Sequence, residues 1–117
     1  MTAEDHYYAG IDLFGEGKHD EAIAEYARAL ALDPRLLDAL HGLAQAHYAK
    51  NDFDGCITAA RRILEIDPND ILAYTSISRA FQRKGMIAEA EEAGNKARVL
   101  GWKQQLKGQK GQANQET

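Results

Sequence analysis

The sequence predicts an all-α fold made of three copies of a helix pair. Apolar residues recur every three or four positions, which is typical of amphipathic helices, and no segment alternates like a strand. Turn-forming and small residues also recur with a period of 34 residues, which indicates one supersecondary unit stacked on copies of itself. The groups at this spacing are Gly17, Asn51 and Gly85; Asp33-Pro34 and Asp67-Pro68; Gly10, Ala44 and Ser78; and Ala22, Cys56 and Ala90.

The first unit has recognisable signals at the ends of its helices. Thr2 is the predicted N-cap of helix one, with Asp5 three residues later in a capping-box-like arrangement. An apolar stripe follows until Gly15 and Gly17, which are predicted to end the helix. Helix two is expected to start near Asp20, which can cap it.

The next two units repeat this pattern. Asp33-Pro34 and Asp67-Pro68 are predicted to close one unit and begin the next, with aspartate as the cap and proline in the first turn. Asn51-Asp52 is predicted to form the turn of the second unit, and Gly85 that of the third. We expect six helices of about 12 to 15 residues each. The three hairpins are expected to stack on one another, because a single hairpin cannot bury its own apolar stripe.

Charge and hydropathy exclude several functions. The net charge is −4 and no dense cluster of basic residues occurs, which argues against nucleic-acid binding. No apolar run approaches the roughly 18 residues of a membrane span. The acidic start of the chain predicts no secretory signal and a cytoplasmic location. Residues 1–34 carry eight acidic and two basic side chains, whereas residues 103–117 carry three lysines and one glutamate. This gradient indicates either solvated surface or attraction between copies.

The repeated residues resemble the tetratricopeptide repeat family, over roughly residues 3–102. In the first repeat the matching positions are Gly10, Leu13, Ala22, Tyr26, Ala29 and Pro34. The second repeat keeps Leu43, Ala44 and Pro68, but has Cys56 in place of alanine and Ala60 in place of an aromatic residue. The third keeps Tyr74, Phe81, Ala90 and Ala97, but has Gly94 in place of an aromatic residue and Trp102 in place of proline.

The resemblance implies a domain over residues 1–107 and a non-enzymatic function. Its repeats would span about 3–36, 37–70 and 71–104, followed by a disordered polar tail over 108–117. The implied fold is a right-handed α-α superhelix whose concave groove binds a protein or peptide, without a cofactor. The first helix of each repeat would line that groove, with apolar and aromatic residues at one end and cations at the other. The residues expected to face it are Tyr7, Ile11, Phe14, His41, Gln45, Tyr48, Thr75, Arg79, Gln82 and Arg83.

One function within the family is not expected. Tetratricopeptide domains that hold the acidic tails of heat-shock chaperones use lysines, asparagines and arginine as a clamp for a terminal carboxylate. The matching positions here are Tyr7, Ile11, Gly42, Leu72 and Ser76. None of these side chains can donate the charge-assisted hydrogen bonds that a carboxylate needs.

The histidines and the single cysteine do not indicate an enzyme or a metal site. His41 and His47 are six residues apart, so they do not share a helix face. His47 is expected in the core, while His41 points toward the groove. Cys56 lies where each repeat needs a small residue, and a buried free cysteine behaves as a small hydrophobe. The segment from Gly15 to Lys18 is better explained as a helix–helix turn than as a phosphate-binding loop.

The end of the third repeat leaves two alternatives open. Gly94 lies in a helix interior and lacks the large side chain expected there. Trp102 and Leu106 could fold back over this gap as a short cap, which we favour. Otherwise the last repeat stays open and is covered by a partner or by another copy, as a weak homodimer. The leading function is therefore a protein-interaction module, and the alternative is a structural subunit that self-associates through this end.

Overall fold

The computed structural model describes the backbone of residues 1–116 and the side chains of residues 1–109. It contains six helices and, within the described backbone, no strand, which confirms the all-α prediction. The helices pair in sequence as three hairpins, α1 with α2, α3 with α4 and α5 with α6. Their bounds are α1 Ala3–Gly15, α2 His19–Leu32, α3 Leu37–Ala49, α4 Phe53–Ile66, α5 Ile71–Arg83 and α6 Ile87–Glu116.

The turn within each hairpin depends on one residue with a positive φ. Gly17, Asn51 and Gly85 have φ angles of 79°, 65° and 77°. Glycine adopts this left-handed conformation freely, and asparagine tolerates it better than most residues. The 34-residue period in the sequence therefore marks the three points where the backbone reverses.

The helix N-termini agree only in part with the sequence prediction. Thr2 and Asp5 form the predicted capping box, each side chain accepting a hydrogen bond from the other's backbone N–H. Asp52 caps α4 by accepting a hydrogen bond from the N–H of Gly55 at 3.0 Å. The prediction that Asp20 caps α2 is wrong. The helix begins at His19, and the side chain at the preceding position makes no cap hydrogen bond.

The predicted caps at Asp33 and Asp67 are also wrong. Each aspartate accepts a hydrogen bond, at 3.1 Å, from the backbone N–H two residues further on and so closes a short turn. This turn is the common alternative for aspartate, and it keeps both prolines outside the helices. The cap of α5 is instead Asp70, which accepts a hydrogen bond from the N–H of Ala73 at 2.9 Å.

The hairpins stack so that α1, α3 and α5 form an inner layer. Contacts run from α1 to α3 and from α3 to α5, whereas α2, α4 and α6 do not touch one another within the described residues. The inner face is therefore the concave one. Ion pairs between Lys50 and Asp20, and between Lys84 and Asp54, join successive repeats at the same spacing.

The first two repeats pack closely around Tyr26. This residue is only 2% exposed, and its ring lies against both Gly10 and Gly42. A Cβ atom added to either glycine would come within 2.6 Å of the ring. The counterparts of these residues one period later are Ala60, Ala44 and Ser76. The second repeat therefore lacks the ring that fills the first.

The C-terminal helix differs from the sequence prediction. Helix α6 continues without a break to Glu116, although the sequence predicts a disordered tail from residue 108 and a short cap. Its lysine, glutamine and alanine residues favour helix, and no proline interrupts them. The favoured folding-back of Trp102 and Leu106 is wrong, because both lie on this straight extension, 61% and 38% exposed. Among the described residues, no helix combines the length and the apolar character that a membrane crossing demands.

Candidate functional site

The concave face holds a pocket of about 220 Å³ between α3 and α5. It lies beside Ala44 and Ser76, the counterparts of the two glycines that enclose the Tyr26 ring. Ala60 stands where the first repeat has Tyr26, but it is fully buried and does not line the pocket. The lining residues are Phe14, Ala44, Gln45, Tyr48, Ala49, Cys56, Ser76 and Arg79.

Two arginines of α5 lie over aromatic rings at the edge of this pocket. The guanidinium of Arg79 is 4.8 Å from the centre of the Tyr48 ring. That of Arg83 is 5.7 Å from the same ring and 5.0 Å from the Phe53 ring. Arg83 also donates a long hydrogen bond of 3.4 Å to Oδ1 of Asn51. Among the described side chains, neither arginine forms an ion pair with a carboxylate.

A second concavity, of about 320 Å³, adjoins the first toward the N-terminal end. Phe14 and Gln45 line both, so the two form one continuous groove. Burial, with the Asp38 carboxylate as a second cause, raises the pKa of the Tyr7 phenol. The lining residues are Tyr7, Ile11, Phe14, Tyr26, Asp38, His41, Gly42, Gln45 and Leu72.

Most of the groove residues expected from the sequence lie on this face, but three do not line either concavity. Gln82 is exposed, and the Thr75 hydroxyl donates a hydrogen bond to the carbonyl of Ile71 on its own helix at 3.1 Å. Arg83 lies at the rim, over Tyr48. His41 lines the second concavity, and its Nε2 is 2.9 Å from Oδ2 of Asp70. This contact ties α3 to the start of α5.

The sequence prediction did not include several residues among those that face the groove. Asp38 and Cys56 were not connected with it at all, and Leu72 and Ser76 were considered only as positions of the chaperone-tail clamp, yet all four line the concavities. A signal for Ser76 was present, since it lies one period after Gly42.

The positions of the chaperone-tail clamp also lie in the groove. Tyr7, Ile11, Gly42 and Leu72 line the second concavity, and Ser76 lines the first. Not one of the five is cationic, and Asp38 adds a negative charge beside them. The groove therefore lacks, at these positions, the lysine, asparagine and arginine side chains that the clamp uses to bind a terminal carboxylate.

His6 and His47 each lie close to a carboxylate of the fold, and Cys56 is buried. The described residues contain no cluster of three or more side chains suited to a metal ion. His6 Nδ1 lies 2.7 Å from Glu25 Oε2, and His47 Nδ1 lies 2.9 Å from Asp52 Oδ2. Burial raises the pKa of the Cys56 thiol to about 11, which leaves it protonated at neutral pH and a poor nucleophile.

Comparison with known proteins agrees with this architecture. The family model for the tetratricopeptide repeat matches residues 13–80. The structure is similar to the crystal structure of MamA, with a TM-score of 0.85 and 31% identity over 88% of this chain and 60% of that one. The chain thus spans less than two thirds of MamA's length.

Two more distant structures share the fold. The second repeat domain of Spaghetti (RPAP3), bound to the HSP90 peptide SRMEEVD, has a TM-score of 0.79 at 21% identity, over 86% of this chain and 93% of that one. The Yersinia enterocolitica secretion chaperone SycD, in an alternative dimer, has a TM-score of 0.80 at 21% identity, over 84% and 74%. At such identities the likeness concerns the fold alone.

The helix pairs, the repeated turns and the family match together define the class of protein. It is an α-helical repeat solenoid of a family whose members are non-enzymatic protein–protein interaction modules. The chain belongs to the tetratricopeptide repeat family.

Proposed function

We propose that the concave groove binds a peptide or a partner helix that carries an apolar anchor and an acidic group. The observation that carries this proposal is the pair of arginines, Arg79 and Arg83, stacked on aromatic rings beside an open apolar pocket. The apolar anchor would occupy the pocket lined by Phe14 and Tyr48. The acidic group would lie against the two guanidiniums.

The stacking of the arginines supports this role. A guanidinium held over a ring has lost part of its freedom before a ligand arrives, so less entropy is lost on binding. The cation–ring attraction is worth about 0.5–1 kcal/mol at an exposed site, which is enough to favour one orientation. It leaves the edge of each guanidinium free to donate two hydrogen bonds to a carboxylate.

The negative charge at the other end of the groove favours one orientation of the bound ligand. Asp38 contributes a negative charge to the second concavity, between the apolar side chains of Tyr7 and Leu72. An acidic group would be repelled there and attracted at Arg79. The bound segment would therefore place its acidic residue toward α5 and a neutral or basic apolar stretch toward α1.

A random peptide library displayed on phage tests the proposal. We expect selected sequences to share an acidic residue near a large apolar one. We also expect the double variant Arg79→Glu/Arg83→Glu to weaken binding of a selected fluorescent peptide at least tenfold, as two charge-assisted contacts are lost. The matched control is Arg35→Glu/Arg62→Glu, which makes the same charge change at exposed residues outside the groove.

Two outcomes would contradict the proposal. One is a selected peptide that binds the Arg79→Glu/Arg83→Glu variant as tightly as the native chain. The other is equal weakening by the control variant, which would reduce the effect to net charge. Circular dichroism of all variants checks that the helices remain folded.

Two further expectations, on nucleic-acid binding and on cellular location, belong to this proposal. We infer that the chain does not bind nucleic acid, because its net charge is −4 and the cations of the groove number only two. We also propose a cytoplasmic location, which fluorescence microscopy of the tagged chain in its own cell would test.

A further inference from the structure

The open end of the solenoid presents one stripe along α6 that lacks a partner helix. Its residues are spaced four, three, four and four apart, so they lie on one side of the helix. We call this the end stripe: Ile87, Glu91, Gly94, Arg98 and Trp102. Ile87 and Trp102 are 55% and 61% exposed.

The counterparts of Glu91, Gly94 and Arg98 in the earlier repeats are buried or half-buried under the next repeat, whereas those of Trp102, Pro34 and Pro68, are exposed. On α4, Ile57 and Ala60 are buried, and Leu64 packs against the core that α5 completes. On α2 the counterparts are Ile23, Tyr26 and Leu30, of which the last two are buried. The end stripe is thus the place where a further helix would pack if the array continued.

The two charged residues of the end stripe have opposite signs and can pair with the same two residues of a second, antiparallel copy. Glu91 and Arg98 are seven residues apart, too far for an ion pair within one helix. Among the described side chains neither forms an ion pair, and Arg98 contacts only Asn95. If a second α6 lies antiparallel with its centre between Gly94 and Asn95, Glu91 meets the partner's Arg98 and Arg98 meets the partner's Glu91. The same arrangement brings Ile87 of each copy against the partner's Trp102, so this contact occurs at both ends of the interface.

We propose that a second copy of this chain covers the end stripe, forming a two-fold dimer through antiparallel α6 helices. Such an interface is isologous, since the same patch serves both copies. Gly94 lies next to the axis and packs against α5 of its own chain, where an added Cβ would be 3.2 Å from Oγ of Ser78. A merely polar end to the array would not explain two large exposed apolar side chains on the same stripe.

The alternative of head-to-tail stacking is less favourable. The side of α1 that would join the end stripe carries Asp5 and Asp12, where α3 and α5 have alanines that are fully buried. In a continued array Asp12 would approach Glu91, the counterpart of Ile23 and Ile57. Two carboxylates would then be buried together, which is costly.

A charge exchange on α6 tests the dimer. We expect sedimentation equilibrium between about 1 µM and 1 mM to show a monomer and dimer in exchange, the range in which a small interface is populated. In the two-fold dimer, residue 91 of each copy faces residue 98 of the other. Either single variant, Glu91→Arg or Arg98→Glu, therefore places like charges opposite each other at two places in the interface. Each should raise the dimer Kd about tenfold or more, and the combination Glu91→Arg/Arg98→Glu should restore it.

The control is Glu92→Arg/Lys96→Glu, which exchanges a salt-bridged pair on another side of α6 and should leave the dimer Kd unchanged. Trp102, the only tryptophan, gives a second readout, because its emission should shift to longer wavelength as the dimer is diluted. A monomer at every concentration, open-ended oligomers, or a dimer that survives both single reversals would overturn the proposal.

Discussion

Replacing Gly42 by alanine tests how the first two repeats pack together. The new Cβ would lie 2.6 Å from Cζ and 2.8 Å from Cε1 of Tyr26, closer than carbon atoms can approach. The ring has little room to move away, because Tyr26 is only 2% exposed and Gly10 also lies against it. We expect a strain of about 1–3 kcal/mol, typical of overpacking. A gain in helix propensity of about 1 kcal/mol offsets part of it.

The same substitution should have the opposite effect once the ring is gone. Tyr26→Ala alone should destabilise the fold by about 3–5 kcal/mol, as for other large aromatic residues in cores. In that background the Cβ at residue 42 meets no ring, and only the propensity gain remains. Gly42→Ala should then stabilise the chain by about 1 kcal/mol.

Urea denaturation followed by circular dichroism measures all four free energies of unfolding in this cycle. Gly101→Ala is the matched control, because a Cβ there meets no atom within 4 Å. It should stabilise both backgrounds equally. If Gly42→Ala has the same effect with and without the Tyr26 ring, the packing argument is refuted.

Two further predictions concern titration and reactivity. A hydrogen bond from His6, followed by Arg28, holds the pKa of Glu25 below its ordinary 4.5, and the N–H of Gly55, followed by His47, lowers the pKa of Asp52. Because these folded-state pKa values are lowered, the stabilisation is complete above the unfolded pKa and is lost as pH falls through the folded values. Thermal melts should therefore show a decline below about pH 4.5 that is shallower in Glu25→Gln, and an unchanged acid limb in that variant would contradict the assignment. Cys56, with its pKa raised to about 11 by burial, should react with a thiol reagent at pH 8 far more slowly in the native chain than in urea, and equal rates would show that the thiol is accessible.

The parts of the fold that follow from local chemistry were predictable from sequence. Gly17, Asn51 and Gly85 mark the turns because few residues tolerate a positive φ, and the period alone located all three. Asp33 failed as a predicted cap because a short turn and a helix cap use the same aspartate side chain. The local sequence does not decide between them.

The groove likewise has features that could be predicted from the sequence and others that could not. Phe14, Tyr48 and Arg79 were expected in the groove from the resemblance to the family, and all three line the pocket. The pocket between them depends on the distance between α3 and α5, which is not visible along a single helix. The extent of α6 was missed because a polar composition predicts disorder, whereas the propensities of the same residues favour helix.

The ring of Tyr26 has a consequence for how the array can vary. It lies against Gly10 on one inner helix and Gly42 on the next, where an added Cβ would come within 2.6 Å of a ring atom. One side chain thus limits what two neighbouring helices can carry. We therefore expect residues 10, 26 and 42 to vary together, because a larger residue at either glycine position becomes acceptable only when the ring is replaced by a smaller side chain.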